Sequence, residues 1–258
     1  LLAPRGEFGD GALGRRAWKK KIYIAVFRLL RIHRSIIWHS TAEHETQAIR
    51  ALWGARAHII FRENDTLLPR TATAPPVPGT APLRAVFLGR IVEHKGLHSA
   101  IEARHACNQP LTLDIDGARE DPEYGQRCED AVRDLPPQIS VIFHDEVPPD
   151  DVRYVLAQHD VLLMPTAGEN FGHVIAEALS VSCAVMTTPY TPWTDLLQNG
   201  AGIIVEDRSP ENWGEQIRSL AQMPSEDIYD LRMAAGHGFN KWAARPRPPH
   251  VWELARRD

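Results

Sequence analysis

The sequence predicts an α/β fold built on a doubly wound parallel sheet. Between residues 83 and 205, short apolar runs alternate with segments of helix length, which is the pattern of parallel strands joined by crossover helices. A stretch with five prolines, Pro69 to Pro82, separates this region from a smaller one before it. The length of 258 residues and the hydrophobic content of 43% allow a sizeable core.

The strands are predicted from six apolar runs, and the helices from the segments between them. The predicted strands are Leu83–Leu88, Leu111–Ile115, Ile139–Phe143, Val161–Met164, Ala184–Met186 and Gly202–Val205. The predicted helices are His94–Ala106, Tyr124–Arg133, Asp150–Gln158, Phe171–Val181 and Pro192–Gln198, with helical patterns continuing from Pro210 to Trp242. In open sheets of this kind, ligands bind beyond the carboxyl ends of the strands.

Composition excludes several classes of protein. The fractions of charged and hydrophobic residues are not those of a fibrous or disordered chain. No apolar run reaches the roughly 20 residues that a membrane-spanning helix needs. The cysteines Cys107, Cys128 and Cys183 have no paired spacing, so neither a disulfide framework nor a zinc site is indicated. We therefore expect a protein of a reducing compartment, the cytoplasm.

The region before the prolines contains a basic segment between residues 15 and 34. Lys and Arg occur there without any acidic residue, and apolar residues recur at helical spacing. A helix of this kind either has a solvated face opposite a core face or lies on an anionic membrane surface. Both interpretations stay open, whereas we expect no nucleic-acid partner.

Two cations follow the first predicted strand, in Gly89-Arg90 and Lys95-Gly96. Glycine after a strand lets the backbone approach a ligand closely, because it has no Cβ. A guanidinium binds phosphate oxygens in bidentate fashion, and an ammonium adds a point charge. Neither the dinucleotide fingerprint nor a Walker A loop occurs here. Taken alone, the two cations suit either a diphosphate site of another kind or an ordinary charged surface.

The fourth predicted strand leads into Gly168-Glu169-Asn170-Phe171-Gly172-His173. We predict that Asn170 caps the next helix, so that the backbone N–H groups of residues 171–173 face an anion. His173 and Glu177 then lie opposite the apolar stripe of that helix. Helix geometry separates Glu169 and Glu177 by roughly 12 Å, which suits contacts with two ends of an extended ligand.

These motifs carry a resemblance to a known family. Gly-Arg-x4-Lys-Gly at residues 89–96 and Gly-Glu-Asn-Phe-Gly-His-x3-Glu-Ala-Leu at residues 168–179 resemble the group 1 (family 4) glycosyltransferases, retaining enzymes of GT-B fold. Thr191-Pro192-Trp193, and Pro4-Arg5-Gly6-Glu7 followed by Trp18-Lys19-Lys20, resemble one bacterial branch of that family. The resemblance covers residues 1 to about 243.

The resemblance implies a domain organisation. The fold would be of GT-B type, with a complete C-terminal Rossmann-like sheet and a partial N-terminal Rossmann-like domain. Residues 1–68 would be the end of the acceptor-side domain, 69–82 the linker, 83–243 the nucleotide-sugar donor-binding domain and 244–258 a tail. We expect an N-terminally truncated chain that binds donor but transfers little sugar unaided.

The resemblance also implies roles for residues. Arg90 and Lys95 would hold the donor diphosphate and offset the charge that develops on the leaving nucleotide. Glu169 would contact the donor sugar near the reacting carbon, and Glu177 would accept hydrogen bonds from the ribose. Catalytic roles would thus fall to Glu169, Arg90 and Lys95. The donor pocket would be completed by Gly89 and by the backbone of Asn170, Phe171, Gly172 and His173.

Such transferases need no metal, and we expect no cofactor. Asp114-x-Asp116 lies in a predicted strand rather than on a loop, and His144 beside acidic residues is more typical of a structural contact. The function implied is metal-independent transfer of a sugar, with retention, from a nucleotide-sugar to a glycan or lipid-linked acceptor. Surface polysaccharide synthesis at the inner face of the membrane, contacted through residues 15–34, is the expected setting. A non-catalytic nucleotide-sugar-binding module, a degenerate partner of a transferase and an epimerase of the same fold stay open.

Overall fold

The computed structural model of the chain describes residues 1–5, 17–77, 79 and 82–256. Its helices are α1 Ala17–Leu29, α2 Glu43–Trp53, α3 Leu97–Glu102, α4 Pro122–Val132, α5 Val152–Ala157, α6 His173–Leu179, α7 Thr194–Leu196, α8 Pro210–Gln222, α9 Ser225–Ala243 and α10 Val251–Leu254. Its strands are β1 Ile37–Ser40, β2 His58–Phe61, β3 Leu83–Leu88, β4 Leu111–Asp116, β5 Ile139–Phe143, β6 Val161–Met164, β7 Ala184–Thr187 and β8 Gly202–Ile204. Gly6 and Glu7 of one motif, and Arg15 and Arg16 of the basic segment, lie outside the described residues.

The chain divides into two units, Leu1–Thr66 with Pro246–Asp258, and Leu67–Arg245. In the first unit, β1 and β2 pair in parallel and α2 connects them. The rings of Trp38 and Trp53 stack with their centroids 5.3 Å apart and form most of a small core. Residues 244–258, described from the sequence as a tail, contain α10.

Helix α1 of the first unit forms within the predicted basic segment and exposes most of its apolar side chains. Phe27 is half-buried and lies 5.8 Å from the ring of Trp53, between centroids. The large apolar residues of this segment that are exposed are Trp18, Ile22, Tyr23, Val26, Leu29, Leu30 and Ile32. The apolar surface of α1 is therefore much larger than its contact with the small core.

The second unit contains one six-stranded parallel sheet, as predicted. The strand order is β5-β4-β3-β6-β7-β8, the doubly wound order of a Rossmann fold. The predicted strands are confirmed to within a residue at their ends, since β4 extends to Asp116, β7 extends to Thr187 and β8 stops at Ile204. The order reverses between β3 and β6, which opens a crevice at the carboxyl ends of these two strands.

The sheet is covered on both faces, and the central strands β3, β6 and β7 are largely buried on both sides. Ala85 and Phe87 of β3 belong to one core, which α3, α4 and α8 cover. Val86, between them in sequence, points to the opposite core, which α5, α6 and α9 cover. Burial on both faces explains why these strands are continuous apolar runs in the sequence.

The described residues of the proline-rich stretch form neither helix nor strand. Part of the stretch is bound to the second unit. The N–H of Ala72 donates to Asn240 Oδ1 over 2.7 Å, and Ser182 Oγ donates to the Thr73 carbonyl over 2.7 Å. This part of the predicted linker therefore lies on the surface of the second unit instead of forming a free tether.

The predicted helix His94–Ala106 is wrong in its first turn. Gly96 has φ 74° and separates a 3₁₀ turn, Glu93–Lys95, from α3. A Cβ on Gly96 would lie 2.1 Å from the carbonyl oxygen of Pro165, so only glycine allows this approach. The approach brings the segment after β3 against the end of β6.

A buried ion network fixes the beginning of β6. Asp160 Oδ1 accepts hydrogen bonds from Arg84 Nη2 over 2.9 Å and from Arg232 Nη1 over 2.7 Å. The side chain of Arg232 is only 3% exposed. Burial acts to raise the pKa of Asp160, but the bonds and charges of the two arginines outweigh it and lower that pKa below its ordinary value.

We expect Asp160 to make the stability of the second unit sensitive to acid. A carboxyl whose pKa is lower in the folded state than in the unfolded state stabilises the fold. This contribution is fully present above the unfolded pKa of about 3.9, and it is lost as the pH falls through the folded pKa. The free energy of unfolding, measured from about pH 5 down to pH 2, should fall less steeply in Asp160→Asn than in the unchanged protein. Asp134→Asn, at an exposed site, is the control, and an equal slope in all three proteins would contradict this prediction.

Candidate functional site

The candidate site lies where β3 and β6 end. Lys95 Nζ donates to Glu169 Oε1 over 2.6 Å, and the two side chains are only 15% and 12% exposed. Thr166 Oγ1 donates to the same carboxylate oxygen over 2.9 Å. The ammonium and the carboxylate are therefore held in one arrangement before any ligand arrives.

Backbone contacts from both neighbouring loops position Glu169. His94 Nε2 donates to the Gly168 carbonyl over 2.8 Å, and the Ala167 N–H donates to the His94 carbonyl over 2.8 Å. On the other side, the Glu169 N–H donates to the Tyr190 carbonyl over 3.0 Å. The sequence analysis missed His94, Thr166 and Tyr190, although each follows a predicted strand within a few residues.

Arg90 pairs with a carboxylate other than Glu169. Its Nη1 donates to Glu120 Oε2 over 3.0 Å, and both side chains are exposed. Gly89 donates its N–H to the Asp116 carbonyl over 3.0 Å. A Cβ on Gly117 would lie 2.0 Å from the Gly89 carbonyl oxygen, so the ends of β3 and β4 approach each other closely.

The predicted cap of the helix after β6 is wrong. Helix α6 begins at His173, and its N-cap is Gly172 with φ 74°, not Asn170. The left-handed backbone of Gly172 prevents residues 170–172 from joining the helix. The first-turn N–H groups consequently begin at His173. The separation of roughly 12 Å, calculated for two residues on one helix, does not apply to Glu169 and Glu177.

His173 and Glu177 lie on the same helix but differ in environment. His173 is exposed at the residue level, and partial burial of its ring lowers its pKa. Glu177 is half-buried, and burial raises the pKa of its carboxyl against the opposing charge of Arg153. Within the described part of the chain, Glu177 forms no ion pair closer than 4.0 Å. Its carboxyl is therefore available to accept hydrogen bonds from a ligand.

An aromatic cluster packs against the segment that follows Glu169. Trp193 is buried, and its Nε1 donates to the carbonyl of Phe171 over 2.5 Å. The ring of Trp193 meets Phe171 edge-on at 5.5 Å and lies 4.9 Å from the ring of Trp242, between centroids. The Thr191-Pro192-Trp193 motif thus fixes the backbone just after Glu169.

The pair Asp114-x-Asp116 lies in β4, as predicted, and Asp114 contacts two histidines. His144 Nε2 donates to Asp114 Oδ1 over 2.9 Å, and His159 Nε2 donates to Asp114 Oδ2 over 2.8 Å. Burial acts to raise the pKa of Asp114, but these two bonds lower it overall. Residues 1–5, 17–77, 79 and 82–256 contain no group of three or more His, Cys, Asp or Glu placed to hold a metal ion.

Comparison with protein families gives a match over most of the chain. The model of "Glycosyl transferases group 1" matches residues 76–236. A D-inositol 3-phosphate glycosyltransferase from Corynebacterium urealyticum is 27% identical over 175 residues, 65% of this chain and 39% of that protein. An alpha-maltose-1-phosphate synthase from Mycobacterium tuberculosis is 27% identical over 158 residues, 60% of this chain and 41% of that protein.

Solved structures share the fold at low sequence identity. Anabaena HepE, crystallised with UDP and glucose, superposes with a TM-score of 0.67 at 16% identity, over 81% of this chain and 58% of that one. WaaG, a glycosyltransferase involved in lipopolysaccharide biosynthesis, gives a TM-score of 0.62 at 18% identity, over 84% and 61% of the two chains. The chain spans about two fifths of the length of the two curated relatives above.

Proposed function

The chain belongs to the group 1 glycosyltransferases and has their GT-B fold, and on this premise we propose that it binds a nucleotide-sugar at the ends of β3 and β6 for transfer of the sugar to a glycan or lipid-linked acceptor. The observation that carries the proposal is the Lys95–Glu169 pair. It places a cation and a carboxylate, both largely buried, at the point where the strand order of the sheet reverses.

The pair suits the junction between a diphosphate and a sugar. Lys95 is available to a phosphate oxygen as a point charge, and Glu169 accepts hydrogen bonds from sugar hydroxyls. Glu177, a half-buried carboxyl without an ion pair among the described residues, suits the ribose hydroxyls. HepE, with the same fold, was crystallised with UDP, which makes UDP the first nucleotide to test.

The proposed chemistry is retaining transfer without a metal. As the bond between the sugar and the diphosphate breaks, negative charge develops on the leaving nucleotide. Lys95 and Arg90 would stabilise that charge, and the largely buried Lys95 would act more strongly than a cation in water because its site is partly dehydrated. Glu169, held by Lys95 and Thr166, would keep the sugar oriented while the bond breaks.

The test is calorimetric titration of the chain with UDP, GDP and ADP and with their sugar conjugates. We expect one nucleotide to bind and its binding to be lost in Glu177→Ala and in Arg90→Ala. Arg119→Ala is the matched control, because Arg119 forms a comparable exposed ion pair with Glu129 over 2.8 Å. Absence of nucleotide binding by the folded chain, or undiminished binding in both variants, would contradict the proposal.

Glu120 is expected to compete with the donor for Arg90. In the structure the Arg90 guanidinium is paired with Glu120, so a diphosphate must replace that carboxylate. Exposed ion pairs contribute about 0.2–1 kcal/mol, so Glu120→Gln should bind nucleotide about 1.4- to fivefold more tightly. Glu129→Gln should bind like the unchanged chain, and weaker binding in Glu120→Gln would oppose this prediction.

We further propose that the protein works in the cytoplasm, in surface polysaccharide synthesis, and that α1 contacts the inner face of the membrane. The exposed apolar side chains of α1, among them Leu29 at 82% exposure, support this, together with Arg31 and Arg34 just beyond the helix. Amphipathic helices that combine apolar and basic residues bind anionic lipid surfaces. Among the described residues, no helix has both the length and the apolar character needed to cross a bilayer.

Flotation with phosphatidylcholine vesicles, with and without phosphatidylglycerol, tests the membrane contact. Binding should require the anionic lipid and should decrease when Lys19, Lys20 and Lys21 are changed to glutamine. The control removes the same charge from exposed cations of the second unit, Arg127, Arg133 and Lys241. Equal vesicle binding by the two triple variants would contradict the assignment to α1.

A further inference from the structure

Tyr190 is an exposed aromatic residue within a turn that is otherwise mostly buried. It follows β7, and the residue is 54% exposed. Thr188, Thr191 and Trp193, in the same turn, are all buried. The turn is thus anchored through its buried residues and presents the ring of Tyr190 to solvent.

The Tyr190 backbone is bonded directly to the proposed donor site. Its carbonyl accepts the Glu169 N–H over 3.0 Å. Thr188 Oγ1 donates to the Thr166 carbonyl over 2.7 Å, so the turn after β7 is bonded twice to the segment after β6. An isolated exposed aromatic residue is common on protein surfaces and needs no explanation. The bond between the Glu169 N–H and the Tyr190 carbonyl, together with the Thr188–Thr166 bond, holds Tyr190 beside Glu169.

The strand order shows which part of a donor would face Tyr190. The strands β3, β6 and β7 are adjacent in that order, about 4.8 Å apart. Arg90 and Lys95 follow β3, Glu169 follows β6 and Tyr190 follows β7. When the diphosphate of a nucleotide-sugar binds at the segment after β3 and its sugar binds at Glu169, the side of the sugar away from the diphosphate therefore faces β7.

The chemistry of a sugar ring suits this placement. A pyranose has hydroxyl groups around its rim and a face of C–H groups, which packs against the electron-rich face of an aromatic ring. Binding sites combine apolar and aromatic surfaces with a few polar groups that fix orientation. Glu169 supplies the polar contact here, and Tyr190 is the neighbouring aromatic surface.

We propose that Tyr190 packs against the C–H face of the donor's pyranose and so favours a nucleotide-sugar over the bare nucleotide. This inference rests on the proposed donor site. It adds a contact specific to the sugar, on the side of Glu169 away from the diphosphate-binding cations.

The experiment measures dissociation constants for UDP and UDP-glucose, each with the unchanged chain, Tyr190→Ala and Tyr190→Phe. We expect Tyr190→Ala to reduce the preference for UDP-glucose over UDP by about three- to tenfold and to leave UDP binding unchanged. Tyr190→Phe should keep the preference, because it keeps the ring. Tyr154→Ala, at another exposed tyrosine, should behave like the unchanged chain.

The outcomes separate the two proposals. If the unchanged chain binds UDP but Tyr190→Ala keeps the same preference, or loses UDP and UDP-glucose binding equally, the Tyr190 inference is wrong and the donor site stands. Loss of the preference in Tyr190→Phe would also overturn it, since the contact would then depend on the hydroxyl. If the folded, unchanged chain binds none of UDP, GDP, ADP and their sugar conjugates, the proposed donor site fails, and this inference fails with it.

Discussion

Lys95→Met is expected to weaken nucleotide binding about 30-fold or more. Lys95 is a largely buried cation, and its only described ion pair is with Glu169. Removing one partner of a buried, hydrogen-bonded charge pair across an interface, here Lys95 and the donor diphosphate, costs about 2–5 kcal/mol of binding, and each 1.4 kcal/mol is about tenfold in the dissociation constant. Titration of UDP into the unchanged chain and the variant measures the loss directly.

The same substitution should also destabilise the fold, because it leaves the Glu169 carboxylate, 12% exposed, without its cation. The double variant Lys95→Met, Glu169→Gln separates the two effects, because it removes both charges. Its midpoint of thermal unfolding should return towards that of the unchanged chain while nucleotide binding stays lost. Lys241→Met is the control at an exposed lysine. Nucleotide affinity within a few fold of normal in Lys95→Met would contradict the proposed role.

Trp193→Ala is expected to cost about 3–5 kcal/mol of unfolding free energy. Trp193 is 3% exposed, packs against Phe171 and Trp242, and donates to the Phe171 carbonyl. The alanine variant leaves a cavity and removes the donor for a buried carbonyl. Because Phe171 follows Glu169 closely in the chain, nucleotide-sugar binding should fall as well. Denaturant unfolding and titration with UDP-glucose measure the two effects.

Trp193→Phe distinguishes packing from the hydrogen bond. It keeps an aromatic ring but removes the N–H, which leaves the Phe171 carbonyl without its donor at a cost of about 1–3 kcal/mol. We expect its stability to lie between those of the unchanged chain and Trp193→Ala. Trp252→Ala, at an exposed tryptophan, should change stability by only about 0.5 kcal/mol. Equal stability of Trp193→Ala and Trp252→Ala would rule out the supporting role.

The strands of the second unit could be predicted because their buried sides are apolar: β3, β6 and β7 are largely buried on both faces, whereas β4 alternates apolar with polar residues. The starts of helices α3 and α6 could not be predicted from the sequence. The apolar pattern predicts that both helices start earlier, yet Gly96 and Gly172 have φ 74° and each helix begins only at the residue after its glycine. Gly96 takes this conformation where its backbone meets Pro165, a residue distant in sequence. Helical periodicity reports which side chains are buried, but not how closely two backbones approach.

The α/β class, the resemblance to the family and the residue types that occur after the strands, including Lys95, Glu169 and Glu177, could be read from the sequence alone. Such features are local, because strand ends, apolar periods and motifs are each contained within a short stretch of chain. Only the tertiary structure decided that Lys95 pairs with Glu169, 74 positions away, that Arg90 pairs with Glu120, and that Tyr190 adjoins Glu169. The physical reason is that these contacts depend on the order in which crossover connections place strands side by side, and no single segment carries that order.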